Sequence, residues 1–297
     1  MIAEFLDTIV NYVQSMTYQN CELDSDKVTK YLAKCQVHNT LTKSIIDNTT
    51  YVKYDQFKDA LFQSYDKFIT EVADQEFYIL VNSIDPTNIN NKDDNSEYYV
   101  LALLWDKLKL KTSKLKSVIT SKTILPSDEP AHILVLSDSL FDNSHLFDTI
   151  KNLMYFRFGK EKIKPDLYNF HILCPFVISN QVKSLYHMIR NNQYMNVLTC
   201  SIKLHASYRM DLLSDLVKFT EDDIKTLIKE FGITSVDLAP VYFDFYLGDK
   251  FTNFTSIYVE GKVSEKERFG LLLTNPINNS LLEIHNLRQA WFNNHSS

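Results

Sequence analysis

The residues best suited to chemistry cluster between positions 137 and 145: Ser137, Asp138, Ser139, Asp142, Asn143, Ser144 and His145. Carboxylates there can orient sugar hydroxyls or hold Mg²⁺, and hydroxyls with turn amides can receive a phosphate. The cluster follows a continuous apolar run, Ile133, Leu134, Val135 and Leu136. It precedes Leu146, Phe147, Ile150, Leu153 and Met154, which recur at helical spacing. A strand buried on both faces, a polar turn and a helix N-terminus make a plausible anion or sugar site. A second polar loop, residues 85–95, carries Lys92 and Asn95 and ends at Ser96, the expected N-cap of a helix whose inner side bears Tyr99, Val100, Leu103, Leu104 and Leu108. Asp244 and Asp249 fall at the end of an aromatic strand, and with Asp138 and Asp142 they are candidate oxygen ligands for Mg²⁺. Acids at turns also serve purely conformational purposes, and that reading stands beside the metal one.

Four apolar residues, an acidic position, a short loop and a helix resemble the phosphoribosyl-pyrophosphate loop of type I phosphoribosyltransferases. In that family paired acids hold the ribose hydroxyls, and small hydroxyl residues with glycine wrap the 5′-phosphate in backbone N–H groups. The resemblance sets Ser137 at the first acid and Asp138 at the second, followed by Ser139. It sets Phe141, Asp142, Asn143, Ser144 and His145 at the phosphate cradle. Asp138 and Ser144 keep the family's chemistry. Asp142 brings negative charge to where a phosphate would lie, and Asn143 stands at the glycine. Lys92, Asn95 and Ser96 take the place of the loop that faces the leaving diphosphate. The resemblance therefore implies a phosphoribosyltransferase-like fold whose catalysis is impaired.

Glycine is scarce: the five are at 159, 232, 248, 261 and 270, so no loop in the first half of the chain can be a Walker A or dinucleotide fingerprint. The same scarcity excludes a serine nucleophile elbow. The cysteines, Cys21, Cys35, Cys174 and Cys200, have no C-x-x-C spacing and read as free thiols in a reducing, intracellular compartment. His132, His145, His171, His187 and His205 lack zinc-ligand spacing in sequence, so no zinc site is expected. A net charge of −6 gives no general attraction to nucleic acid or to anionic membrane. The lysines between 107 and 122 have no aromatic residue among them to stack a base, and read as a solvated connection.

These loops need elements to position them. Ile2, Phe5, Leu6, Ile9, Val10 and Val13 predict an N-terminal amphipathic helix, interrupted by Glu4 and Asp7 and so neither signal peptide nor membrane span. A second helix is expected from Ser25 to Cys35, a polar link over 40–50, and a third helix over 55–73. Strands are expected at 77–84, 133–136, 170–177 (with Pro175 near its end), 196–204, 241–247 and 255–259. Helices are expected at 182–189, at 222–231 before Gly232, and at 281–291. The repeated strand-then-helix order predicts an α/β fold with a mostly parallel sheet flanked by helices. The helices of residues 1–75 form a layer on the α/β core of 76–297.

Two functions follow as expectations. One is a phosphoribosyltransferase-like protein that binds a nucleotide or sugar phosphate, either as an impaired enzyme or as an active atypical transferase using Mg²⁺. The other is a scaffold that engages a protein partner through the helical N-terminal layer.

Overall fold

The protein, seen in a computed structural model, is described here for residues 2–16, 24–34, 39–81, 96–111, 114–120, 130–140, 146–151, 168–191, 201–231, 241–243 and 280–295. In chain order the helices are α1 Ile2–Ser15, α2 Ser25–Lys34, α3 Asn39–Asp47, α4 Tyr54–Val72, α5 Ser96–Lys111, α6 Ser179–Asn191, α7 Leu213–Leu216, α8 Glu221–Phe231 and α9 Ser280–His295. The strands are β1 Thr50–Val52, β2 Phe77–Leu80, β3 Leu115–Ile119, β4 Ala131–Leu136, β5 Ser139–Leu140, β6 Tyr168–Leu173, β7 Phe176–Ile178, β8 Ser201–His205, β9 Tyr208–Met210 and β10 Val241–Phe243. They divide into two compact units. The first is made of Met1–Met16, Lys58–Arg209 and Leu281–Ser297, the second of Thr17–Phe57 and Met210–Ser280.

The first unit is built on the expected sheet. Its five strands are ordered β3-β2-β4-β6-β8, and every pairing is parallel. In β2, β4 and β6, side chains on both faces are buried, which is why these strands read as mostly apolar runs, broken only by Asn169, His132 and His171. On one face Leu80, Ile133, Val135, Phe170 and Ile172 pack with Leu146, Phe147 and Ile150 of a helical stretch at 146–151 and with Leu185 of α6. On the other face α4 lies across the strands, and the ring of Phe68 sits 4.9 Å from that of Phe77 and 5.1 Å from that of His171. Farther out α1 packs on α5, where the rings of Phe5 and Tyr98 meet edge-on at 5.6 Å. Arg288 of α9 is wholly buried, with its guanidinium over the Tyr98 ring.

Several boundaries differ from expectation for physical reasons. The lysine-rich stretch is no solvated connection, because it holds the end of α5 and the edge strand β3, and three of its lysines are ion-paired. Lys107 pairs with Asp66 at 2.9 Å, Lys114 with Asp74 at 3.0 Å and Lys116 with Glu76 at 3.0 Å. Lysine on an edge strand also discourages pairing with another chain. The strand expected over 170–177 is interrupted at Pro175, as its sequence implies. The break separates β6 from β7, which belong to different sheets.

In the second unit the polar link expected over 40–50 is instead α3, followed by β1. The aromatic strand expected over 241–247 is described as β10, which pairs in parallel with β1 in a two-stranded sheet of its own. α2 is capped by Asp24, the residue before Ser25. The Asp24 carboxylate accepts from the amides of Asp26 and Lys27 at 3.0 and 3.1 Å. At the start of α8, Thr220 and Asp223 bond reciprocally, the Asp223 amide to the Thr220 hydroxyl and the Thr220 amide to the Asp223 carboxylate. The strand expected at 255–259 lies outside the described residues.

Candidate functional site

Three neighbouring strands of the large sheet break after their last residue and resume two residues later. β4 leads through Ser137 and Asp138 into β5, β6 through Cys174 and Pro175 into β7, and β8 through Ala206 and Ser207 into β9. The continuations form a small second sheet of order β5-β7-β9. The breaks are aligned by backbone bonds: the Ser137 amide donates to the Leu173 carbonyl, the Cys174 amide to the His205 carbonyl, and the Ser207 amide to the Pro175 carbonyl. α4 is tied to this line by the Ser207 hydroxyl, which lies 2.7 Å from the Ser64 hydroxyl and donates to the Ala60 carbonyl.

Asp138 occupies the first break and is 6 % exposed. Its carboxylate accepts from the hydroxyls of Ser96 and Ser139 and from the amides of Asp138 and Ser139. Burial outweighs these bonds and pushes its pKa up to about 6 from 3.8. Beside it the Ser137 hydroxyl donates to the Ser139 carbonyl, and the Cys174 thiol donates to the Phe176 carbonyl. Burial, reinforced by the Asp138 charge, pushes that thiol well up, so Cys174 is a protonated core residue and no nucleophile.

Topology explains why Ser96 meets Asp138. β2 hands the chain through α5 to β3 on one side, whereas β4 hands it on to β6 on the other. Between β2 and β4 the order reverses, and their outgoing connections diverge. Doubly wound sheets bind ligands in the crevice beyond the carboxyl ends at such a reversal. Ser96, the first residue of α5, and Asp138, just past β4, stand at that point. Of the candidates from sequence, Asp138, Ser139 and Ser96 are brought together. Lys92, Asp142, Ser144, His145 and the paired metal candidate Asp244 lie outside the described residues.

Sequence reasoning missed a second cluster. His132, His171 and His205 lie on the α4 face of three adjacent strands, offset by two residues at each step, since Leu134 is opposite His171 and Leu173 is opposite His205. His132 Nδ1 is 2.9 Å from His171 Nε2, and His171 Nδ1 is 3.0 Å from His205 Nε2. Phe68 closes over His171 and His205 with its ring edge-on to both. At the outer end Glu71 of α4 faces His205 at 3.8 Å through Oε2, while its Oε1 pairs with Lys203. Burial holds all three imidazoles below their usual range. His171 is lowest, at about 4, with the neighbouring histidines adding to the effect. The Lys203 hydrogen bond holds the Glu71 carboxyl below its usual value. The only sequence signal was the repeated His-Ile-Leu at 132–134 and 171–173, together with a third strand ending in His205.

At the opposite, amino end of β2 and β4 there is an open cavity of about 290 Å³ lined by Gln75, Glu76, Tyr78, Lys116 and His132. It is removed from Asp138 and touches the inner end of the histidine row.

No family model matches the chain, and no curated protein matches it in sequence. No helix among the described residues is long and apolar enough to cross a membrane.

Proposed function

We propose that this chain is a phosphoribosyltransferase-like binding protein that holds a nucleotide or sugar phosphate beyond the carboxyl ends of β2 and β4, without efficient transfer chemistry. The observation that carries this reading is the Ser96–Asp138 hydrogen bond across the reversal of strand order. That bond directs the N-terminus of α5, a 16-residue helix, at the crevice where an anionic ligand would lie. The impairment of catalysis is supported by the state of Asp138. Its carboxylate already accepts from four protein donors, which leaves few acceptor positions for Mg²⁺ or a ribose hydroxyl.

Thermal unfolding of the full chain with phosphoribosyl pyrophosphate and Mg²⁺, and separately with nucleoside monophosphates, tests the reading. A ligand at ~100 times its dissociation constant adds roughly 2.7 kcal/mol, a visible rise in midpoint. The rise is expected with at least one of these ligands and is expected to vanish in Asp138→Ala. No rise with any of them would refute it.

The full occupancy of the Asp138 acceptor positions also favours a second reading, in which the sheet is only a scaffold and the helical N-terminal layer engages a protein partner. A strictly monomeric chain that captures no partner would count against that reading.

A further inference from the structure

We propose that Glu71, His171 and His205 form a binding site for a single divalent transition-metal ion of the zinc class, independent of the Asp138 crevice. One ligand atom from each lies within 4.8 Å of the other two. In a tetrahedral zinc site with bonds of about 2.0–2.1 Å, ligand atoms stand roughly 3.3 Å apart. The His171 Nδ1 to His205 Nε2 distance is 3.0 Å and the His205 Nε2 to Glu71 Oε2 distance is 3.8 Å, on either side of that value. An ion would replace the N–H···N contact between the two rings. It would draw in only the Glu71 side chain, which is 36 % exposed near the end of α4.

The surroundings are those a metal site uses. His171 turns its other nitrogen, Nε2, to His132 Nδ1 at 2.9 Å, so His132 can accept the His171 Nε2–H and fix the tautomer that offers Nδ1 to an ion. Lys203 holds Glu71 Oε1 and leaves Oε2 turned toward the rings, orienting the carboxylate as an outer partner does. The backbones of β6 and β8 place the two histidines on neighbouring strands, and Phe68 packs against both rings. Such rigid support limits rearrangement on binding. Two imidazoles and one carboxylate are also the donor set of many zinc sites that keep a fourth position for water. Here Glu71 and Lys203 are both partly exposed, which gives water a route to such a position. Imidazole nitrogen selects zinc, copper, nickel or cobalt over magnesium and calcium.

The test is titration of the metal-stripped full chain with Zn²⁺ by calorimetry and with Co²⁺ by absorption, at pH 7.5. One equivalent is expected to bind, with a cobalt spectrum free of thiolate charge-transfer bands. Glu71→Gln and His205→Gln are expected to weaken binding at least 10-fold each. His132→Leu, acting through His171, is expected to weaken it roughly 10–100-fold while keeping the stoichiometry. Glu71 is at the surface, so Glu71→Gln retains the fold and its midpoint of unfolding without metal serves as the control. Asp138→Asn is expected to leave metal binding unchanged, which separates this site from the proposed ligand crevice. Absence of binding, thiolate bands in the cobalt spectrum, or unchanged affinity in both Glu71→Gln and His205→Gln would overturn the proposal.

Discussion

Ser96 and Asp138 arise 42 positions apart, yet the Ser96 hydroxyl donates to the Asp138 carboxylate at the place where the strand order of the sheet reverses. The bond joins the N-terminus of α5 to the end of β4, two elements whose next strands, β3 and β6, lie on opposite sides of the β2–β4 pair in the strand order. A carboxylate buried here is maintained against its desolvation by the hydrogen bonds it accepts. That balance gives the first prediction.

Asp138 has a folded pKa near 6 against 3.8 when unfolded, so the folded state takes up its proton more readily. Its stabilising contribution is complete below about pH 3.8 and is lost as the pH rises through 6. Asp138→Asn removes this loss. The stability of the variant relative to the natural chain should therefore rise between pH 4 and pH 7 by on the order of 3 kcal/mol, since each unit of pKa corresponds to about 1.4 kcal/mol. Denaturant unfolding at the two pH values reads this difference, and constant losses of hydrogen bonding cancel from it.

The histidine row acts in the opposite sense. His132, His171 and His205 are all lowered, so the unfolded chain binds more protons than the folded one between their folded values and about 6.5. Their contribution is complete above 6.5 and is lost as the pH falls through the folded values, which for His171 is about 4. Replacing His171 by Phe should flatten the acid limb of stability over that window. An unchanged slope from pH 6.5 to 4 would show that these rings do not govern it.

Phe68 is fully buried and touches Phe77, His171 and His205. Phe68→Ala should cost about 3–5 kcal/mol by loss of transfer energy and creation of a cavity. It should also disturb the imidazole signals of His171 and His205, which nuclear magnetic resonance can follow.

Ser64 and Ser207 share one hydrogen bond at the line of strand breaks. Ser64→Ala and Ser207→Ala should each cost about 1 kcal/mol, and the double variant should cost less than their sum. Full additivity in the unfolding free energies would mean that the two hydroxyls are not coupled.

Much of the sheet was legible because its central strands are buried on both faces. Ile133–Leu136 leaves no polar alternation to confuse with a surface strand, and in Phe170–Leu173 only His171 interrupts the apolar run. Ser96 and Asp138 were legible singly, each ending or beginning an apolar pattern. Their meeting was not, since it depends on which strand lies beside which. β3 was hidden because an edge strand bearing Lys116 and Ser117 looks like a solvated loop until its partner is known. α3 was hidden because Thr40, Thr42, Ile45 and Ile46 suit a strand or a loop at least as well as a helix in isolation. The row of histidines needed more still. Their spacings in sequence carry no motif, and only the parallel register, stepping two residues per strand, stacks them on one face.

The most direct test of the proposed function is a calorimetric titration of the full chain with phosphoribosyl pyrophosphate in the presence of Mg²⁺, repeated with adenosine monophosphate and with Asp138→Ala. The account predicts one binding event per chain for at least one of these ligands, at least 10-fold weaker in the variant. No heat of binding for either ligand, or the same affinity in Asp138→Ala, would contradict it.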